Sequence, residues 1–209
     1  MTSTYFLGAN SAQGFYSLYG GFPPRSGFLH IIKGGPGTGK SGFMRAIGSE
    51  AERHGMDVEY VLCSGDPDSL DGVYIPALNE AWVDGTAPHA LDPTIFGVTG
   101  DYVNLGRFCR TPFSSENQVA IRRITPAYKA LYAEGYEHIA AAGKCEVRGG
   151  FDLAPLEKRL DMILRRCPAD GAPYERRVFL RAISCRGLIS LADTLNASGQ
   201  LEAVGGKTY

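Results

Sequence analysis

Eight consecutive residues, Gly34-Gly35-Pro36-Gly37-Thr38-Gly39-Lys40-Ser41, have the types and spacing of a loop that grips a polyphosphate. Glycines let the main chain wrap closely, so that successive N–H groups converge on an anion. A helix beginning at the end of such a loop adds roughly half a positive charge where the phosphates sit. Lys40 is then placed to reach the β- and γ-phosphates, and the Ser41 hydroxyl to ligate Mg²⁺. The expected nucleotide-contacting set runs from Gly34 through Gly42.

Such chemistry also needs carboxylates. Ala81-Trp82-Val83-Asp84 reads as a short apolar strand ending in an acid, the form expected of the second magnesium element. Asp84 would hold a metal-bound water or orient the attacking one; the alternative is an Asp-Gly turn. A second acidic group, Asp66, Asp68 and Asp71 with Ser64 and Ser69, follows a predicted strand. Ligands gather at the carboxyl ends of strands in open α/β sheets, which favours a role for Asp66 or Asp68. Capping of a turn by Asp66 and Ser69 is the competing reading. His89 is a candidate γ-phosphate sensor or a turn residue, and Arg122 and Arg123 are candidates for contacting transition-state charge or plain surface residues.

The elements that must position these groups follow from pattern. Phe28 to Ile32 reads as a buried strand leading into the loop. The helix after it should run from Lys40 to about His54, with Phe43, Met44 and Ile47 on one face and Gly55 ending it. Asp57 to Cys63 is the next strand, so strand, helix and strand imply a right-handed crossover in a parallel sheet. Upstream, residues 5–9 read as a strand, Gly14 to Tyr19 as a short helix and Gly20 to Gly27 as a turn. Downstream, 113–142 reads as a helix kinked at Pro126, its stripe of Tyr128, Leu131, Tyr132, Tyr136 and Ile139 directed to a core. Residues 153–167 suggest a further helix with Leu156, Leu160, Ile163 and Leu164 inward.

Composition narrows the classes. The 209 residues suit an α/β domain, and a net charge of −1 gives no general case for nucleic-acid binding. Charge is uneven: 5 Lys/Arg against 10 Asp/Glu in residues 1–100, and 12 against 8 in residues 122–181. The second region reads as a solvated helical surface or as a source of arginines for phosphate. The five cysteines lack C-x-x-C spacing, against a zinc site or disulfide framework. With no basic, apolar leader and no long apolar run, a cytoplasmic protein without a membrane partner is expected.

The tail repeats the head. Phe6-Leu7-x-Ala9-x-Ser11-x-x-Gly14-x-x-Ser17-Leu18 recurs, at one constant offset, as Phe179-Leu180-x-Ala182-x-Ser184-x-x-Gly187-x-x-Ser190-Leu191. Gly206-Lys207-Thr208 then stands where Gly39-Lys40-Ser41 stood, with a shorter spacer. Self-similarity at a long period argues for duplication. The division expected is a P-loop domain over 1–176, with a helical region at about 113–167, and the strand–helix start of a truncated or degenerate second repeat over 177–209.

Cys63-Ser64-x-Asp66-Pro67-Asp68-Ser69-Leu70-Asp71-Gly72, Ile75-Pro76 and Asp84-Gly85-Thr86-Ala87-Pro88-His89-x-x-Asp92-Pro93 resemble an uncharacterised bacterial family of ATP-binding proteins. Its members are similar in carrying two P-loop halves in tandem. The Asp84-Gly85 pair also resembles the strand end of adenylate kinases, which implies that this strand lies beside the phosphate-loop strand. The resemblance implies a P-loop NTPase fold, a three-layer αβα sandwich with a mainly parallel sheet and a helical insertion.

The leading expectation is Mg²⁺-dependent ATP hydrolysis, with Lys40, Asp84, Asp66 and Asp68 in catalytic roles and Ser41 and Asp84 as metal ligands. A small-molecule or nucleotide kinase is the second reading, and a nucleotide-binding switch without turnover the third. No Asn-Lys-x-Asp guanine-reading element is present, which favours ATP over GTP. The implied partners are ATP, an unknown protein or small molecule, and a second P-loop half or a dimer mate.

Overall fold

The computed structural model describes residues 2–87, 91–108, 115–144, 177–191, 194–195 and 201–202, with Ala154 and Lys158. Six strands form one sheet: β1 (Thr2–Tyr5), β4 (Phe28–Lys33), β5 (Val58–Leu62), β6 (Leu70–Ile75), β7 (Glu80–Asp84) and β8 (Gly100–Asn104). Their order is β1-β5-β6-β7-β4-β8. β4 pairs in parallel with both β7 and β8, and β1 in parallel with β5, whereas β6 is antiparallel to both its neighbours. Five strands therefore point one way, and β6 is the reversed member of a mixed sheet. β6 follows β5 after the short 63–69 loop, and a short return can only run antiparallel. The expected parallel relation of β4 and β5 holds, with β6 and β7 between them.

Strand alternation sorts the core onto two faces. Ile32, Val58, Leu62, Leu70, Val73 and Ile75 face Met44 and Ala51 of α1 (Lys40–Arg53). Leu29, Ile31, Val61, Tyr74, Ala81 and Val83 face the other way, against Tyr19 and Phe22. Each fully buried aliphatic side chain stabilises the fold by about 1.5–3 kcal/mol. On α1, Met44, Gly48 and Ala51 are buried while Phe43 is exposed, so the apolar face is narrower than the sequence suggests. Gly48 is required by packing: a Cβ there would lie 2.4 Å from the Tyr60 hydroxyl oxygen. Gly55 ends the helix at φ +73, as expected.

The expected three-layer sandwich is met in part. Among the described residues one helix covers the first face, and short 3₁₀ turns at Tyr19–Gly21 and Pro24–Ser26 cover the second. Two glycines and two prolines between positions 20 and 24 leave that segment unable to form an α-helix.

α2 (Ser115–Gly143) forms where a helix is expected and continues through Pro126. Its stripe is not core among the described residues: Tyr128, Leu131 and Tyr132 are exposed, at 47%, 68% and 43%. Only its later part touches the described fold, where the Tyr136 hydroxyl donates to Asn10 Oδ1 at 3.0 Å. The predicted helix at 153–167, His89 and Gly206-Lys207-Thr208 lie outside the described residues, apart from the helical Ala154 and Lys158.

The repeat is a pair of hairpins. β2 (Gly8–Ser11) and β3 (Gly14–Ser17) pair antiparallel, and so do β9 (Arg181–Ser184) and β10 (Gly187–Ser190). A further short pair joins β11 (Thr194–Leu195) to β12 (Leu201–Glu202). The helix expected over Gly14 to Tyr19, and its counterpart after residue 187, are thus corrected to strands. The cause is local. Gly14 and Gly187 sit at φ +94 and +101 and close two-residue turns. In each turn the serine hydroxyl, Ser11 or Ser184, donates to that glycine's carbonyl and accepts from the residue before it.

The hairpins also pack on each other. Phe6 N donates to Phe179 O and Phe179 N to Phe6 O, both at 2.9 Å, and Asn10 Nδ2 donates to Ile183 O across the same 173-residue offset. Equivalent residues that bond reciprocally lie on a local two-fold axis, the relation found in isologous dimers.

Candidate functional site

The loop lies where β4 ends and α1 begins, and sheet pairing fixes its neighbours. Ile32 of β4 is level with Asp84 of β7, so the Asp84 carboxylate emerges beside the loop. The adjacency of this strand to the one that leads into the glycine-rich loop is as expected. Gly85 N donates to Ile32 O at 2.9 Å, and a Cβ at Gly85 would fall 2.3 Å from Ile31 Cγ2. Only glycine permits β7 to leave the sheet this close to β4.

Within the loop, Gly37 and Gly39 take φ +77 and +86, the left-handed region that favours glycine. Gly34 is needed for space, since a Cβ there would lie 2.5 Å from Thr38 Oγ1. Thr38 Oγ1 donates to Gly35 O at 2.8 Å and ties the loop across its base. Gly39 caps α1 with no side-chain hydrogen bond, so the helix N-terminus meets whatever lies in front of it with main-chain groups alone.

Lys40 is buried to 8% exposure. Its ammonium donates to the carbonyls of Gly34 and Gly35 at 2.8 and 3.0 Å and stands 3.6 Å from Asp84 Oδ2. Thr86 donates to Asp84 Oδ1 from its amide at 2.8 Å and from its hydroxyl at 2.5 Å. One oxygen of Asp84 is thereby fixed and the other turned toward Lys40. Ser41 Oγ accepts from Leu70 N at 2.9 Å, which leaves the hydroxyl a second lone pair and its proton.

The three aspartates after β5 separate. Asp66 is exposed and accepts from the Ser69 hydroxyl at 2.7 Å, closing a turn. Asp68 is exposed and pairs with Arg186 of the β9–β10 turn. Asp71 is buried at 4%. The β6–β7 register that pairs Gly72 with Val83 sets Asp71 beside Asp84 at the loop end of the sheet. Its neighbours are polar too. Burial first, then the Asp71 carboxylate, push the Cys63 thiol up to about 12. Burial likewise raises the Tyr19 phenol well above its ordinary range, with smaller contributions from Asp71, Cys63 and Asp84.

Asp71 is the site residue that the sequence argument passed over in favour of Asp66 and Asp68. A signal was present: a single acid inside the otherwise apolar run Leu70-Asp71-Gly72-Val73-Tyr74-Ile75. Arg122 and Arg123 are exposed on α2, with no described contact to the loop.

A magnesium ion fits the donors present. Mg²⁺ takes one or two protein ligands and fills its shell with phosphate oxygens and water. A hydroxyl at the helix start and a carboxylate at the neighbouring strand end suit that shell. Among the described residues no group of three or more His, Cys, Asp or Glu could hold a metal ion.

The fold and site define an α/β protein with a glycine-rich loop between an interior strand of the sheet, β4, and its helix α1. No protein-family model, curated protein or solved structure matches the chain.

Proposed function

We propose that this protein binds MgATP at residues 34–42 and hydrolyses it. The observation that carries the reading is the placement of Lys40 Nζ between the Gly34 and Gly35 carbonyls and Asp84 Oδ2. A buried ammonium at the base of a glycine loop, facing a carboxylate on the next parallel strand, suits a polyanion whose charge grows during reaction.

The main-chain amides of the loop and the start of α1 hold the phosphates. Lys40 gives up loop carbonyls for phosphate oxygens and stabilises the charge that develops on them. Ser41 and Asp84 would hold the cation, which screens phosphate charge and lowers the barrier to attack. Asp84, steadied by Thr86, orients the attacking water through its remaining oxygen. Asp71 lies beside it at the same end of the sheet.

Calorimetry of MgATP binding to the wild type and to Lys40→Ala tests the reading, with phosphate release measured in parallel. Saturable heat and turnover that disappear together in the variant are expected. No heat with any nucleoside triphosphate at millimolar concentration would refute it. Phosphoryl transfer to a nucleoside outpacing release to water would move the reading to a kinase, and equal phosphate release by both proteins would move it to a switch.

A further inference from the structure

The two hairpins are equivalent in sequence, yet they stand differently toward the loop. Ala12 and Gln13 form the turn of the first hairpin, and Cys185 and Arg186 occupy the same two positions in the second. The local two-fold at Phe6 and Phe179 sends the second turn onto the segment joining β5 to β6. There Cys185 N donates to Gly65 O at 3.3 Å, and the Arg186 guanidinium binds the Asp68 carboxylate.

That segment is held from the other side by the proposed nucleotide site. Arg45 of α1 donates to the Asp68 carbonyl at 2.7 Å, and Leu70 N donates to Ser41 Oγ at 2.9 Å. Its own bonds make it a compact turn: Ser69 N to Asp66 O at 2.9 Å, and Cys63 N to Ser69 O at 3.0 Å. A short, self-bonded turn moves as one piece. A pull on Asp68 is therefore felt at Leu70, and through it at the hydroxyl expected to meet the cation.

We propose that Arg186 is a positioning residue for the nucleotide site, acting through Asp68 and the 65–70 turn on the orientation of Ser41, so that the repeated hairpin is coupled to Mg²⁺-nucleotide binding at the first loop. The inference rests on the nucleotide-site reading above. It gives the duplication a consequence: the second repeat supplies a side chain to the first repeat's site across the local two-fold. Gln13, at the equivalent turn position of the first hairpin, is exposed and serves as the internal comparison.

The test is calorimetry on the full chain with ATP, in the presence and absence of Mg²⁺, for wild type, Arg186→Ala, Asp68→Asn, Gln13→Ala and the exchange pair Arg186→Asp with Asp68→Arg. Both partners are exposed, so a loss of about two- to fivefold in MgATP affinity is the expected scale. The loss should be the same in Arg186→Ala and in Asp68→Asn, and absent for metal-free ATP and for Gln13→Ala. The exchange pair should regain at least half of it. Wild-type binding with unchanged affinity in Arg186→Ala overturns this inference and leaves the nucleotide site standing. An equal loss with and without Mg²⁺ also overturns it, because that would be general damage to the fold. Absence of wild-type binding would overturn both.

Discussion

Phe6 and Phe179 each donate a main-chain amide to the other's carbonyl, at 2.9 Å in both directions. They are the same position of the repeat, so the bond pair is its own mirror in sequence and sets β2 against β9. The hairpins on either side then have matching turns, each closed by a serine and a glycine at positive φ. Gly14→Ala and Gly187→Ala should each destabilise the protein by about 1–3 kcal/mol. Urea unfolding of the two variants should give similar losses; a large loss in one alone would break the equivalence.

Lys40 donates to the Gly34 and Gly35 carbonyls and is the side chain on which the proposed phosphate binding would turn. Lys40→Ala should lower turnover by about 10²-fold or more. Circular dichroism should show an intact fold, since Lys40 belongs to neither core cluster. Steady-state phosphate release against MgATP concentration checks the effect.

The carboxylates should divide by position. Asp84→Asn keeps the Thr86 hydrogen bonds and removes the charge facing Lys40, so turnover should fall by about 10²-fold. Asp66→Asn, in an exposed turn, should stay close to wild type. Parallel kinetics of the two variants decide whether the acid at the strand end or the one in the turn carries the chemistry.

Gly85→Ala should destabilise the fold by about 1–3 kcal/mol, because its Cβ would enter the space of the fully buried Ile31. Strain at this point also shifts Asp84, so MgATP affinity should fall with stability. Thermal unfolding and calorimetry on the same sample check both.

Cys63 gives a pH signature. Its thiol is raised to about 12 in the folded state, chiefly by burial, against about 8.5 for a free thiol. The folded chain keeps this proton after the unfolded chain has lost it. Its contribution is fully present below about pH 8.5 and is lost as pH rises toward 12, at up to about 1.4 kcal/mol per unit. Urea unfolding between pH 8 and 11 should show a shallower decline for Cys63→Ala than for wild type.

The residues that wrap the loop announce themselves because their chemistry is local. Glycine at Gly37 and Gly39, an ammonium at Lys40 and a hydroxyl at Ser41 act within eight consecutive residues, and neighbouring periodicity suffices to place a strand before them and a helix after. The repeat was equally readable, as identities at one spacing. Pairing between distant segments was not. Nothing in Leu70 to Ile75 says that this strand runs against its neighbours, and that reversal is what buries Asp71 next to Asp84. The helix expected after Gly14 became a strand because Gly14, at positive φ, closes a tight turn with Ser11, and the spacing of apolar residues does not register such a turn. Composition and spacing determined which atoms could hold a phosphate. The tertiary structure decided which carboxylate stands beside them and which arginine pairs with Asp68, because both depend on strand order and on a two-fold that forms only when residues far apart in sequence meet.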